Sequence, residues 1–579
     1  MDYRKAYETW LTDPLFDEET RAELAAIAEN DDEIKDRFES ELTFGTGGLR
    51  GLMGAGTNRM NRYTVGKTTQ GLANYIQKQG TAFQGVVIAH DSRHNSRLFA
   101  ETAGLVLAAN GIPAYLFPDL RPTPELSFAV RHLGCAAGIV ITASHNPPGY
   151  NGYKVYGPDG AQVTSPRDKA ILAEVAAIPG FGAVRTMPKN KAMEAGLLVG
   201  LTQAVDEAYQ RAVLTQLPGL LEKPAAELTV VYTPLHGTGL MPALAVLDAS
   251  GFKNVHVTPL QDIPNGNFPT LEYPNPEDPK AFELALRLAR QVDADIVLAT
   301  DPDADRVGVA ARIRKGEYGF LTGNMSGALL TQAVLEKRRE VGFLPENAVV
   351  VKTIVTTHMI EPIARDYGVG VVDVLTGFKY IGEQIRRFEE TGSHTFVFGF
   401  EESYGCLAGT YARDKDGIAA VLLLCRLAAA YKAEGRTLFD ALDELYQKYG
   451  YYREGVVSVA CPGLSGGETI RRGMAALRAE APKEVAGVPV EWVRDYKERR
   501  FENVLTGEQE ACALPSSDVL HWTLADGSWV CVRPSGTEPK VKLYYGTCAK
   551  TAAEADEKQA ALKQALEAME SDFSEEAKL

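Results

Sequence analysis

No stretch of this sequence is apolar for long enough to cross a bilayer. The longest such run, residues 418–425, stops at Arg426, well short of the roughly 18 residues a spanning helix needs. The N-terminal segment MDYRKAYETWLTDPLFDEET lacks the basic start and apolar run of a secretory signal, so a cytoplasmic protein without a membrane partner is expected. Cysteine is sparse: there are 7, an odd number, with no C-x-x-C pair among them, which reads as reduced structural thiols. Positive charge is also short. Lys and Arg number 60 against 76 Asp and Glu, and a net charge of −16 repels nucleic acid and anionic surfaces. No nucleic-acid partner is expected, and an anionic ligand would require basic residues gathered in one cleft.

What is present is ordinary globular composition, 45% hydrophobic and 23% charged over 579 residues, which corresponds to roughly three to five domains. The first forty residues place Leu24, Ile27, Ile34 and Phe38 among many acids, the pattern of amphipathic helices that form an N-terminal cover. Apolar β-branched runs then recur in pairs: GVVIAHD with GIVITAS, LTVVYTP with ADIVLAT, and NAVVVKT with HTFVFGF. Runs without alternation, separated by helical segments such as 98–109 and 279–291, describe strands buried on both faces of mostly parallel sheets. Three successive α/β domains are expected, at 1–205, 206–325 and 326–450. The remainder, 451–579, has short strands (VVSVAC, WVCVRP, KVKLYYG) and a closing helix from Ala552, an α+β arrangement.

The second run of each pair empties into a polar loop: SHNPPGYNG, DPDADR and EESYG. Ligands gather at the carboxyl ends of such strands, so the three loops can converge on one site. In DPDADR, Pro302 discourages helix, and an extended chain would turn Asp301, Asp303 and Asp305 to one side. Three like charges then call for a hard divalent cation, Mg²⁺ or Ca²⁺ by their all-oxygen chemistry. It is not an EF-hand, because Arg306 and Arg312 stand at that loop's sixth and twelfth positions. In TASHNPPGYNGYK, Ser144 sits just past a strand, and Lys154 could carry a proton; a turn held by local side-chain hydrogen bonds would use the same residues. If phosphorylated, such a serine is a phosphoryl donor needing a metal and cationic clamps. FGTGGLRG (residues 44–51) has Arg50 where a dinucleotide fingerprint needs its third Gly, and no G-x-x-x-x-G-K-[ST] marks ATP. RPSGTEPK joins Arg533, Ser535, Gly536 and Thr537 in a form suited to phosphate, although a hairpin turn also uses Ser-Gly-Thr. The basic residues an anion would need are therefore Arg50, Lys154, Arg306, Lys379, Arg413, Lys415 and Arg533.

Together these loops resemble the α-D-phosphohexomutase superfamily, and within it the long-form bacterial α-phosphoglucomutases, over nearly the whole chain. TASHNP is similar to the family's phosphoserine loop, DPDADR to its metal loop, GFEES to its sugar-binding loop and RPSGTEP to its phosphate-binding loop, in the family's order. FGTGGLRGLMG and TGFKYIGE extend the match, with Gly47 where many relatives have Ser or Ala. The resemblance implies a heart-shaped, four-domain α/β fold: three related domains with mixed, mostly parallel sheets, and a TATA-binding-protein-like α+β fourth that closes over a cleft. It implies that phosphorylated Ser144 gives its phosphoryl group to the 6-hydroxyl of glucose 1-phosphate. The resulting glucose 1,6-bisphosphate turns round and returns its 1-phosphoryl group. By the same resemblance Mg²⁺ is held by Ser144, Asp301, Asp303 and Asp305, with Arg50, His145 and Lys154 in the catalytic set. Arg306, Thr376, Gly377, Lys379, Glu401, Ser403, Arg413 and Lys415 would bind the sugar phosphate, and Arg533, Ser535, Gly536 and Thr537 would clamp its distal phosphate.

The Glu401-Glu402-Ser403 form and Phe378 in TGFKYIG resemble glucose-specific relatives; phosphopentomutase or phosphomannomutase activity is the alternative within the superfamily. An aspartyl-nucleophile phosphatase using Asp301 and Asp303 would leave Asp305 unexplained. A non-catalytic sugar-phosphate-binding protein would need no serine, metal loop and proton carrier together.

Overall fold

The computed structural model describes residues 2–42, 48–216, 227–461, 466–535 and 540–573. Four sheets succeed one another along the chain, of 6, 5, 4 and 8 strands. Each of the first three is built round one pair of apolar runs. Val86–His90 lies parallel to Ala137–Ile141, Val230–Thr233 to Ile296–Thr300, and Ala348–Thr353 to Thr395–Glu401. Five of these six strands are buried at every position, which is why their sequences do not alternate. In every domain the second strand then reverses into an antiparallel neighbour: Tyr150–Tyr156, Val307–Arg314 and Gly405–Ala408. Reversal rather than crossover results from the turn-forming residues between them. SHNPPGYNG, DPDADR and EESYG thus occupy the same place in three equivalent sheets.

The helices appear where the spacing put them, as Ser96–Ala109 and as a 3₁₀ turn Pro279–Phe282 leading into Glu283–Val292. The N-terminal cover consists of Tyr3–Thr12, Glu18–Ala25 and Asp31–Phe38, each begun by a side chain (Asp2, Asp17, Asn30) that accepts a backbone N–H of the first turn. Its apolar faces bury Trp10, Phe16, Leu24, Ile34 and Phe38 together. The run 418–425 forms the middle of helix Gly417–Ala433, which Asp416 caps through the N–H groups of Ile418 and Ala419. That helix is apolar because it is central: it lies in one cluster reaching from Tyr209 to Tyr446, so the second and third domains share a core. No helix among the described residues is long and apolar enough to cross a membrane. All seven cysteines are free.

The last sheet is antiparallel, and helices Gly466–Ala479 and Ala552–Ala568 bury Ile470, Met474, Leu562 and Leu566 with its strands. It also meets the third domain. Trp529 is stacked between His358 and His521 at ring distances of 5.7 and 5.6 Å, and Ile354, Val355 and Leu375 join Val519 and Tyr544 around it. This contact fixes strand Trp529–Pro534, and with it Arg533, beside the loops of the other domains.

Candidate active site

The metal loop departs from the extended chain its sequence suggested. It is a turn: Ala304 has a left-handed φ of 49°, and its N–H donates to Asp301 O at 2.9 Å. Asp301 Oδ1 draws the chain round further by accepting from the N–H groups of Asp305 and Arg306, both at 3.1 Å. Curling still brings the three carboxylates together. One oxygen from each of Asp301, Asp303 and Asp305 lies within 4.8 Å of the others, and all three residues are buried. Asp303 Oδ1 and Asp305 Oδ1 are buried without a hydrogen-bond partner. Anionic oxygens left in that condition are costly, and a hard divalent cation satisfies them, so the donor set fits Mg²⁺ chemistry.

Ser144 is aimed at this loop from the first domain. Its backbone is left-handed (φ 51°), and its hydroxyl donates to Asp301 Oδ2 at 2.5 Å. His145 Nδ1 stands 3.1 Å from the same Oγ. Burial pushes the His145 imidazole well below its usual range, with the Arg306 and Arg50 charges adding to the effect, so it is neutral. Lys154 Nζ donates to Asp303 Oδ2 at 2.8 Å and lies 3.4 Å from Asp305 Oδ2. Burial opposes its charge, but Asp303 and Asp305 more than reverse that, and the ammonium is held protonated. Asp301 is shifted the other way: burial, then the charges of Asp303 and Asp305, raise it well above the carboxylate range. Arg50 comes alongside because Gly48–Leu52 pairs with Tyr150–Tyr156, placing Arg50 opposite Gly152 and Gly48 opposite Lys154. A Cβ at Gly48 would lie 2.2 Å from Tyr153 O, so this pairing needs glycine. The Arg50 guanidinium donates to Asn146 Oδ1 at 3.1 Å.

The third and fourth domains complete the cleft. Lys415 Nζ is 2.8 Å from Asp305 Oδ2. Glu401 Oε1 accepts the Gly377 N–H at 2.9 Å, an approach made where Gly377 takes a φ of 122°. Lys379 opens helix Phe378–Thr391; burial, opposed by Asp168 and Glu383 and reinforced by the charge of Arg533, brings its ammonium down to about 8. Arg306 Nη1 pairs with Glu277 Oε1.

Comparison with known proteins agrees with this geometry along the chain. Four families match in order: phosphoglucomutase/phosphomannomutase alpha/beta/alpha domain I over residues 41–179, domain II over 207–313, domain III over 322–449, and the C-terminal domain over 477–565. The chain belongs to the phosphoglucomutase/phosphomannomutase family. Among relatives, a protein named phosphoglucomutase from Staphylococcus haemolyticus is 39% identical over 509 residues, 88% of this chain and 90% of that one. Family members also share the fold at low identity. Parafusin, a phosphoglucomutase from Paramecium solved in an open form, superposes with a TM-score of 0.68 at 17% identity, over 92% of this chain and 95% of its own. Aspergillus fumigatus N-acetylphosphoglucosamine mutase, solved with GlcNAc-6P and magnesium, gives 0.51 at 12% identity over 98% and 99%.

The remaining expected residues differ in what they touch. Arg413 is 1% exposed and turned away: Nη2 pairs with Glu389 at 2.5 Å, and Nη1 donates to Ala412 O. We propose that it acts as a strut beside Arg131 rather than as a substrate ligand, its neighbour Lys415 reaching Asp305 in the cleft. Phe378 is packed among Val349, Val351 and Ile381. Thr376 Oγ1 is buried without a partner, and Ser403 is half-buried in the turn after Glu401. Ser535 is held by its N–H on Lys540 O at 2.8 Å; Gly47, Gly536 and Thr537 lie outside the described residues. Sequence reasoning missed three groups. Thr123 Oγ1 donates to Asp303 Oδ2 at 2.9 Å, and Thr238 N–H donates to Pro302 O at 2.9 Å, so loops of other strands hold the metal loop. Lys542 sits opposite Arg533 in the last sheet, and its charge is felt at His145. The available signal was that the first strand of each pair also ends at this edge.

Proposed function

We infer that this protein is a phosphoglucomutase, interconverting α-D-glucose 1-phosphate and glucose 6-phosphate through a phosphoserine and a glucose 1,6-bisphosphate intermediate. One observation carries the reading: a serine hydroxyl 2.5 Å from one member of a buried aspartate triad, with cations of four domains around it. The naming of the Staphylococcus haemolyticus relative supports it.

The Mg²⁺ we propose would be held by Asp301, Asp303, Asp305 and the phosphate on Ser144, where it would neutralise charge on the transferring phosphoryl oxygens. The chain's own residues do the rest. The bond from phosphorus to Ser144 Oγ breaks as the bond to the sugar's 6-oxygen forms, and the hydroxyl proton passes to Oγ. Neutral His145 and protonated Lys154 are the groups placed to relay it. Arg50 and Arg306 stabilise the charge that develops. We assign the sugar hydroxyls to Glu401 and Ser403, and the phosphate not in transfer to Lys379, Lys542 and the loop Arg533, Ser535, Gly536 and Thr537. Enclosure by four domains lets the bisphosphate turn round without meeting water.

The test is kcat/KM for glucose, mannose and ribose 1-phosphates, each with its bisphosphate and Mg²⁺. Glucose should lead by about tenfold or more, well within what a site that hydrogen-bonds sugar hydroxyls can discriminate. Equal rates with mannose or ribose would show that these loops do not select glucose.

A further inference from the structure

The loop that presents Ser144, between Ala137–Ile141 and Tyr150–Tyr156, has few backbone bonds of its own: Asn146 N–H donates to Ala143 O and Tyr150 N–H to Pro147 O, both at 3.1 Å. One side chain binds three of the loop's carbonyls and that of Tyr150, the first residue of the next strand. Arg93, 3% exposed, donates through Nη2 to Ser144 O at 2.5 Å and to Asn146 O, and through Nη1 to Pro147 O at 2.8 Å and Tyr150 O at 3.1 Å. Arg93 is itself anchored. Its Nε is 3.4 Å from Asp91 Oδ2, while Asp91 Oδ1 accepts from Arg93 N–H at 2.9 Å and Ser96 Oγ at 2.7 Å. The guanidinium lies 5.0 Å from the ring centroid of Phe268, a residue of the second domain. That domain's loop approaches closely, since His94 Nε2 meets Asn267 Oδ1 at 2.7 Å and a Cβ on Gly266 would lie 2.6 Å from His94 N.

We propose that Arg93 is a positioning residue for phosphoryl transfer: its planar fork holds the backbone of residues 144–150 so that Ser144 Oγ stays aimed at the metal loop, with Phe268 tying that hold to the seating of the second domain. The inference rests on Ser144 being the phosphoryl carrier. A left-handed serine persists only where its surroundings over-determine it, and the four bonds to its loop do so. Lysine keeps the charge opposite Asp91 but cannot span four carbonyls from one ammonium.

The experiment uses the full chain carrying Arg93→Lys or Phe268→Leu. It measures kcat, KM for glucose 1-phosphate, and the single-turnover rate of phosphoryl transfer from glucose 1,6-bisphosphate to dephosphorylated Ser144, each per folded molecule. Arg93→Lys should lower kcat and the transfer rate about 100-fold with KM within about twofold, the scale of a small misplacement of a reacting group. Phe268→Leu should lower both rates by about three- to tenfold. An active parent with unchanged kcat per folded molecule in Arg93→Lys overturns the proposal; if Arg93→Lys does not fold, unchanged kcat in Phe268→Leu overturns it. A parent without mutase turnover would instead refute the activity itself.

Discussion

Replacing Ser144 by alanine and by glycine separates its chemical role from its structural one. Either change removes the phosphoryl carrier, so turnover should fall by at least about 10⁴-fold, the scale of losing a nucleophile. The two variants should differ in stability. Both lose the 2.5 Å hydrogen bond to Asp301, which contributes about 1 kcal/mol. Alanine also retains a side chain at φ 51°, whereas glycine adopts that conformation freely, which favours the glycine variant by about 1 kcal/mol. Assays of mutase turnover, intact mass and urea midpoint on both variants check this. The midpoint should rank parent, glycine variant, alanine variant from high to low. Turnover surviving in either variant, a phosphate still found on it, or a glycine variant less stable than the alanine variant would refute the reasoning.

Four further outcomes are expected. Asp303→Asn removes one of three clustered carboxylates and the partner of Lys154, so Mg²⁺ titrations should show weaker binding and kcat lower by about 10²-fold or more; full activity of the parent in excess chelator would contradict the metal assignment. Lys379 carries its charge below about pH 8 and loses it above, so kcat/KM should fall as pH rises through about 8, and Lys379→Met should be lower and flat over that range. Arg533→Ala should raise KM and increase release of bisphosphate into solution about tenfold, measured by trapping with excess unlabelled substrate. If Arg413→Met raises KM as much as Arg533→Ala does, its assignment as a strut beside Glu389 fails; a lower urea midpoint with unchanged KM is the expected result.

The paired buried strands were legible because burial on both faces erases alternation, and the loop after each pair was legible from its turn residues. Asp301, Asp303 and Asp305 were found by letter, yet their alternation suggested an extended chain; the turn at Ala304 depends on backbone N–H groups that spacing does not reveal. The directions of Arg413 and Phe378 were not legible, because adjacent residues point in different directions and only packing decides which one reaches the cleft. Thr123 and Lys542 act across domains, and Thr238 and Arg93 on other loops of their own domain, at distances set by tertiary packing rather than local pattern. The shared core of the second and third domains was hidden for the same reason, its central helix reading only as an apolar run.

The central claim is that the phosphoryl group on Ser144 becomes the 6-phosphate of the product. Enzyme carrying labelled phosphate on Ser144 should be mixed with Mg²⁺ and one equivalent of unlabelled glucose 1-phosphate, then quenched over a single turnover. Label is expected to leave Ser144 for glucose 1,6-bisphosphate and then to appear at the 6-position of glucose 6-phosphate, with unlabelled phosphate restored to Ser144. Label released as inorganic phosphate, or retained on Ser144 while product forms, would contradict the claim.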